Sequence, residues 1–396
     1  MISKSMYELG AQPSPIRKLF NYGQIQAKKL GPDHVFDFTL GSPSVPMPSK
    51  VAQCWEKLNR EIDPVALHTY TVSAGRPEAR QAIADDLNER YHTHYGPGDL
   101  YLSCGAAASL CAVFKALTLD HQSKILAMAP FFPEYRNFVE SKGGKFDYVP
   151  AAADFRVNLE ALKEAVDAST QGVIINSPNN PGGKIYTREE LKALASLLEE
   201  KSRQFGHPIY LISDEPYREL AYDGLEVPWI PSIYKNSIIC YSWSKSFSIP
   251  GERIGYTLVP PEAEDAKELY LAISGAARTM GYVCAPALAQ RVIESCIKER
   301  PDLQPYEENR QLLYGSLSEM GYNCVHPDGA FYLFVKAPNG DGSAFSEMAM
   351  EKNVLIVPGV GFGCPDYARI SYCVPNDRIR RALPLFRDLL AQACGR

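Results

Sequence analysis

Short apolar runs alternate with amphipathic stretches along the middle of the chain. The runs Lys124–Ala129, Gly172–Asn176, Pro208–Ser213, Ser237–Ser242 and Arg253–Val259 are rich in β-branched residues and bounded by Pro, Gly or Ser. Runs of that length and setting predict buried strands. Between two of them lies Thr187-Arg188-Glu189-Glu190, followed by Leu191, Leu194, Leu197 and Leu198. Thr187 with Glu190 three residues on makes a capping box, and the leucines share one helical face. Strand, helix, strand in this order predicts an α/β fold, a mainly parallel central sheet with helices on both faces.

The ends of the chain read differently. A helix is expected over Ile16–Leu30, then a Pro-rich segment from Gly41 to Pro48. Beyond residue 300 come another helix and the apolar stretches Gly329–Val335, Val354–Val357 and Ile370–Cys373. Helices followed by a few short strands suggest a smaller α+β unit, which the helix near Ile16 joins from the far end of the chain.

Composition narrows the function more than the fold. The 41 Lys and Arg against 46 Asp and Glu give a net charge of −5. That argues against a surface for nucleic acid or anionic membrane. No apolar run reaches the roughly 18 residues of a membrane-spanning helix. The first residues, Met1-Ile2-Ser3-Lys4-Ser5-Met6-Tyr7-Glu8, lack the basic and apolar segments of a secretory signal, so a cytoplasmic protein is expected. The 10 cysteines include no CxxC pair and read as reduced, mostly buried thiols. His92 and His94 read as solvated rather than as metal ligands, and no metal is expected.

Four segments carry candidate chemistry. The first is Ser242-Trp243-Ser244-Lys245-Ser246, with Arg253 eight residues after the lysine. A desolvated lysine at a strand end suits Schiff-base chemistry with a carbonyl group, and Ser hydroxyls with an Arg fork suit a phosphate. A plain surface turn is the alternative. The second is Ser213-Asp214-Glu215-Pro216-Tyr217, where Asp214 ends an apolar run. An acid there faces the crevice at the carboxyl ends of parallel strands, or else caps a helix. The third, Asn176-Ser177-Pro178-Asn179-Asn180-Pro181-Gly182-Gly183, is a loop that presents the Asn180 amide at another strand end. In the fourth, Ser103-Cys104-Gly105-Ala106-Ala107-Ala108, small residues lead into a helix. Close backbone approach at its start suits a phosphate or simply tight packing.

These segments, in this order and with Ala368-Arg369-Ile370-Ser371 near the end, resemble the class I/II aminotransferases, fold type I enzymes dependent on pyridoxal 5′-phosphate (PLP). The resemblance runs from Ser14-Pro15-Ile16-Arg17 to Arg369. It implies that Lys245 carries PLP, that Asp214 pairs with the pyridine nitrogen, and that Tyr217 and Asn180 bond the ring's O3′. It implies a phosphate cup of Gly105, Ala106, Ala107, Ser242, Ser244 and Arg253. Phe132, in Pro130-Phe131-Phe132-Pro133, would stack on the ring. Tyr70 would reach the phosphate of a neighbouring subunit, which makes a homodimer. Arg369 would clamp the substrate α-carboxylate, with Gly41 lying over it.

The activity so implied is transfer of the amino group of an L-α-amino acid, aspartate or an aromatic one, to a 2-oxo acid such as 2-oxoglutarate. Kinetics would be ping-pong, by way of pyridoxamine phosphate, with Lys245 moving the Cα proton. A PLP-dependent cysteine/cystathionine C–S β-lyase is the alternative on the same fold. A DNA-binding regulator is disfavoured, because residues 1–45 are too short and insufficiently basic to bind DNA. The expected division is a large domain over 46–285 and a small one from 1–45 and 286–396. Asn180-Pro181-Gly182-Gly183 and Ser248-Ile249-Pro250-Gly251-Glu252-Arg253 depart from the commoner family patterns and leave the subfamily open. Arg278 is either a partner for a dicarboxylate side chain or a solvated arginine.

Overall fold

A computed structural model describes residues 2–11 and 15–395, so Ser14 lies outside the described residues. A seven-stranded sheet runs through the middle of the chain, in the order Leu100–Ser103, Gly255–Leu258, Ser237–Ser242, Tyr210–Asp214, Thr170–Asn176, Lys124–Met128 and Lys145–Val149. Neighbours from Ser237–Ser242 outward to Lys145–Val149 pair in parallel. Gly255–Leu258 is antiparallel to both of its neighbours. The expected mainly parallel sheet is therefore present with one reversed strand. Leu100–Ser103 and Lys145–Val149 were not anticipated. The first is only four residues long, and the second alternates exposed and buried positions at the sheet edge.

Each inner strand buries both faces. Leu126, Val173, Leu211 and Ile239 enter one apolar cluster, while Ile125, Ile174, Ile212 and Ile238 enter the cluster on the other face. The helix Arg188–Phe205 supplies Leu191, Leu194, Leu197 and Leu198 to the first cluster. Each such buried leucine contributes on the order of 1.5–3 kcal/mol. Its capping box forms as expected, with the Thr187 and Glu190 side chains each accepting the other's backbone N–H. The helix Ala106–Leu117 covers the opposite face with Leu110, Val113 and Phe114.

A second, antiparallel sheet joins Val357–Pro358, Tyr367–Ser371, Tyr332–Lys336 and Cys324–Val325. Near it, Phe36–Asp37 pairs in parallel with Val354–Leu355 and so ties the two ends of the chain together. The helices Gln304–Met320 and Asn376–Ala393 share a third core that includes Leu313, Phe345 and Phe386. The expected helix near Ile16 spans Pro15–Leu30. Among the described residues no helix is long and apolar enough to cross a membrane, and no cluster of His, Cys, Asp or Glu could hold a metal ion.

The register gathers the chemistry at one edge of the large sheet. Asn176 is paired with Asp214, Asp214 with Cys240, and Ser242 and Ser103 both with Gly255. The loops that follow these strand ends open on one crevice.

Candidate active site

Asp214 is 5% exposed at the end of its strand. The Tyr135 hydroxyl donates to its Oδ2 at 2.6 Å, while Oδ1 is buried without a hydrogen-bond partner. Burial pushes the Asp214 carboxyl up to about 7, against the pull of the Tyr135 hydrogen bond and with a push from Glu215. Beside it the Asn176 amide donates to the Asp214 carbonyl at 2.8 Å, and Asn176 Oδ1 accepts the Asn180 backbone N–H at 2.7 Å. The Asn180 loop is thus fixed to the Asp214 strand end.

Lys245 lies on the short helix Trp243–Ser246, which starts where the strand Ser237–Ser242 stops. Its Nζ donates to the Gly41 carbonyl at 2.5 Å and lies 5.6 Å from the Phe331 ring centroid and 6.0 Å from that of Tyr217. Desolvation lowers the amine to about 8, helped by the Arg253 and Arg369 cations. A lysine so placed is free of its proton often enough to act as nucleophile or base near neutral pH.

Three loops form a cradle next to it. Gly105 precedes the helix Ala106–Leu117 with φ +86°, and no side chain caps that helix start. The positive φ favours glycine at 105, and a Cβ there would come within 2.8 Å of Arg253 Nη2 and displace the guanidinium. Arg253 has φ 53°, in the left-handed region, and donates to the carbonyls of Pro250 at 2.8 Å and Cys104 at 3.3 Å. Ser242 and Ser244 share a 2.6 Å hydroxyl contact. Free helix-start amides at Ala106 and Ala107, two hydroxyls and a guanidinium make a donor set for a phosphate dianion.

Arg369, 2% exposed, closes the other side. Its Nη1 donates to Asn180 Oδ1 at 3.0 Å and its Nη2 to the Thr39 carbonyl at 2.5 Å. Its Nε is buried without a partner. The Tyr332 and Phe362 rings flank it at 4.6 and 5.1 Å. No described carboxylate pairs with it, although burial lowers its pKa. A planar fork left without an acid suits an incoming carboxylate. The Tyr217 and Tyr332 hydroxyls meet at 2.8 Å. A Cβ on Gly41 would lie 1.8 Å from the Tyr332 hydroxyl, so the chain passes there only as glycine.

The structure brings together Lys245, Asp214, Tyr217, Asn180, Gly105, Ala106, Ala107, Ser242, Ser244, Arg253, Arg369 and Gly41. Phe132 is linked to Asp214 through Tyr135, to whose ring it lies edge-on at 5.6 Å. Tyr70 projects from the surface, 93% exposed. Arg278 is exposed in the last turn of the helix Ala266–Thr279, and none of the hydrogen bonds or ion pairs found reaches the cluster from its side chain. Sequence reasoning missed Tyr135, Tyr332 and the Thr39 carbonyl. Tyr135, three residues after Phe132, and Tyr332, in the expected strand, stood in quoted segments or next to them without a role.

A lysine of depressed pKa, an orphaned carboxylate oxygen, a phosphate cradle and an unpaired arginine at the carboxyl end of a parallel sheet define an enzyme that joins a bound carbonyl compound to an amino-acid-like substrate. The family described as aminotransferase class I and II matches residues 33–384, and the chain belongs to that family. Among curated relatives, it is 29% identical over 391 residues to a probable aspartate aminotransferase of Methanocaldococcus jannaschii, covering 96% of this chain and 97% of that one. It is 32% identical over 332 residues to an aspartate aminotransferase of Geobacillus stearothermophilus, covering 80% and 82%. Among solved structures, an aminotransferase from Eubacterium rectale is 48% identical with a TM-score of 0.97 over 99% of both chains. The aspartate aminotransferase of Thermotoga maritima is 29% identical with a TM-score of 0.86, covering 98% of this chain and 100% of that one. The fold is that of the type I aminotransferases, and the protein is an enzyme of the transaminase type. These relatives favour transamination over the C–S lyase alternative.

Proposed function

We propose that the enzyme uses pyridoxal 5′-phosphate to move the amino group of an L-α-amino acid, aspartate in the first instance, to a 2-oxo acid such as 2-oxoglutarate. The observation that carries the cofactor reading is the buried, unpartnered Asp214 Oδ1 at the same sheet edge as a phosphate cradle and a desolvated lysine. Lys245 would hold the aldehyde carbon and Asp214 the ring nitrogen. Tyr217 and Asn180 would hold the ring hydroxyl, Phe132 the ring face, and Gly105, Ala106, Ala107, Ser242, Ser244 and Arg253 the phosphate. When bound, the cofactor supplies an electron sink that makes the substrate Cα–H bond acidic.

The protein's own work is positioning and proton transfer. Arg369 and Asn180 grip the substrate carboxylate, and Gly41 leaves room over it. Lys245 would move the substrate Cα proton through its Nζ. The names of the relatives support aspartate as donor.

The same reading makes the active form a homodimer, with Tyr70 reaching the neighbouring phosphate cradle. Support comes from the exposed apolar side chains Val65, Tyr70, Val72 and Leu271. It divides the chain into a large domain over 46–285 and a small one from 1–45 and 286–396. That division is supported by the pairing of Phe36–Asp37 with Val354–Leu355. The ten free thiols support a reducing, cytoplasmic setting.

The test is the visible spectrum of the purified protein loaded with PLP, before and after adding single L-amino acids without an oxo acid. A yellow band that bleaches with aspartate establishes half of the transfer and its donor together. Pyruvate and ammonia released from a sulfur amino acid would favour the lyase instead. No band after adding PLP would remove the cofactor reading.

A further inference from the structure

Tyr135 is buried at 1% exposure on the helix Glu134–Glu140. It has two tasks in the structure. Its ring is clamped edge-on between Phe132 at 5.6 Å and Phe114 at 6.4 Å. Its hydroxyl donates to Asp214 Oδ2 at 2.6 Å. The Asp214 carboxylate has no other hydrogen-bond donor among the described residues, and its Oδ1 is left without a partner.

We propose that Tyr135 is a positioning residue: it keeps Asp214 ionised and turned so that Oδ1 is the acceptor offered to the cofactor's ring nitrogen. This rests on the PLP reading above. The chemistry follows from the donor. A phenol O–H that keeps its proton and donates a hydrogen bond to a carboxylate oxygen stabilises the charged form of the acid. Because Oδ2 is occupied, one oxygen remains for the ring. The same ring packs edge-on to Phe132, so a single side chain sets both the stacking face and the acid.

The other groups facing Asp214 give no such help. Glu215, next in sequence, pushes the Asp214 carboxyl up. Asp214 in turn pushes up Cys240, on the adjacent strand, and Tyr217, from the following turn. The Tyr135 phenol is itself driven well above its ordinary value by burial and by Asp214, so it stays a donor throughout the working range.

The experiment compares wild type with Tyr135→Phe, each as the full chain freed of cofactor. Affinity is measured for PLP and for its carbocyclic analogue, in which the ring nitrogen is replaced by CH. A hydrogen bond to a charged group shifts an equilibrium by about ten- to a hundred-fold. The expected result is that Tyr135→Phe weakens PLP by about ten-fold or more and leaves the analogue unchanged. Equal losses for both ligands would mean that Tyr135 only shapes the pocket, and no loss for PLP would mean that it does nothing for the acid. Either result overturns the proposal.

A second readout is the ¹⁵N shift of the ring nitrogen in the loaded protein. At neutral pH it should move toward the unprotonated value in the variant, because the shared proton shifts from the ring nitrogen to the more basic Asp214 carboxylate. Should Tyr135→Phe not fold, 3-fluorotyrosine at 135 keeps the shape and strengthens the donor. The neutral-pH ¹⁵N shift should then move toward the protonated value, and an unchanged shift overturns the proposal. If wild type itself does not prefer PLP to the analogue, the ring-nitrogen pairing with Asp214 fails, and the role of Tyr135 falls with it.

Discussion

Asp214 and Glu215 are adjacent in sequence and both buried, yet they belong to two different regions. Glu215 faces one side of the sheet and is saturated. Its carboxylate accepts from Ser213 Oγ at 2.7 Å and from Arg218 Nε at 2.5 Å. Arg218 in turn donates to the Val227 carbonyl at 3.1 Å and to Tyr91 Oη at 3.3 Å, and it lies 5.0 Å from the Trp229 ring. Asp214 faces the other side and is left half open, like Arg369 with its unpartnered Nε and Lys245 with only a backbone carbonyl. Buried charge is expensive unless it is paired and hydrogen-bonded. In the Glu215 region the pairing is internal and the result is structure. In the Asp214 region it is left for a ligand to complete, and the result is chemistry.

The largest expected effect lies on the open side. Replacing Lys245 with Met removes both nucleophile and base, so turnover of amino acid should fall by about 10³-fold or more while the far-ultraviolet circular dichroism is retained. Activity within ten-fold of wild type would sink the assignment of Lys245. The closed side should answer in the opposite currency. Arg218→Leu leaves Glu215 buried without its cation, and such a break costs about 3–5 kcal/mol of stability. Denaturant titration should show the loss, whereas the affinity of the folded fraction for PLP should hardly change. A variant of full stability with impaired cofactor binding would mean that the Glu215–Arg218 pair belongs to the site after all.

How much of this was legible in the sequence follows the same line. Asp214, Lys245, Asn180 and Arg369 each end or border an apolar run next to turn residues, and their order carries a family resemblance. Such features are local, so they can be read along the chain. The partners that give these groups their state are not local. Tyr135 meets Asp214 across 79 residues, Tyr332 meets Tyr217 across 115, and the Thr39 carbonyl meets Arg369 across 330. No periodicity encodes such meetings. The strand Gly255–Leu258 was legible as a strand, but its reversed direction follows from a short connection, with helical turns at Trp243–Ser246 and Pro250–Glu252, that returns beside the strand it leaves. The saturation of Glu215 was hidden in part: Arg218 lies only three residues on, but it is held by Tyr91 and Trp229, whose rings stack 4.3 Å apart beside it.

The smallest effect discriminates most finely, because it predicts stabilisation. The Lys245 amine is held near 8 in the folded chain, against an ordinary value of 10.5. Below pH 8 both folded and unfolded chains carry the proton, and the folded one bears the full cost of a buried cation. Between pH 8 and 10.5 the folded chain has released its proton while the unfolded chain still holds it, so stability rises with pH across that window. Lys245→Met removes the cost and also the bond to the Gly41 carbonyl, which offsets about 1 kcal/mol of the gain. The ligand-free variant should therefore be more stable than wild type by about 1–2 kcal/mol at pH 7, with the difference shrinking as pH climbs toward 10.5. Denaturant titrations at pH 7 and pH 10 check both the sign and the trend. A loss at pH 7 as large as that of Arg218→Leu would mean that Lys245 is held as tightly as the closed pair, and the contrast between the two regions would no longer stand.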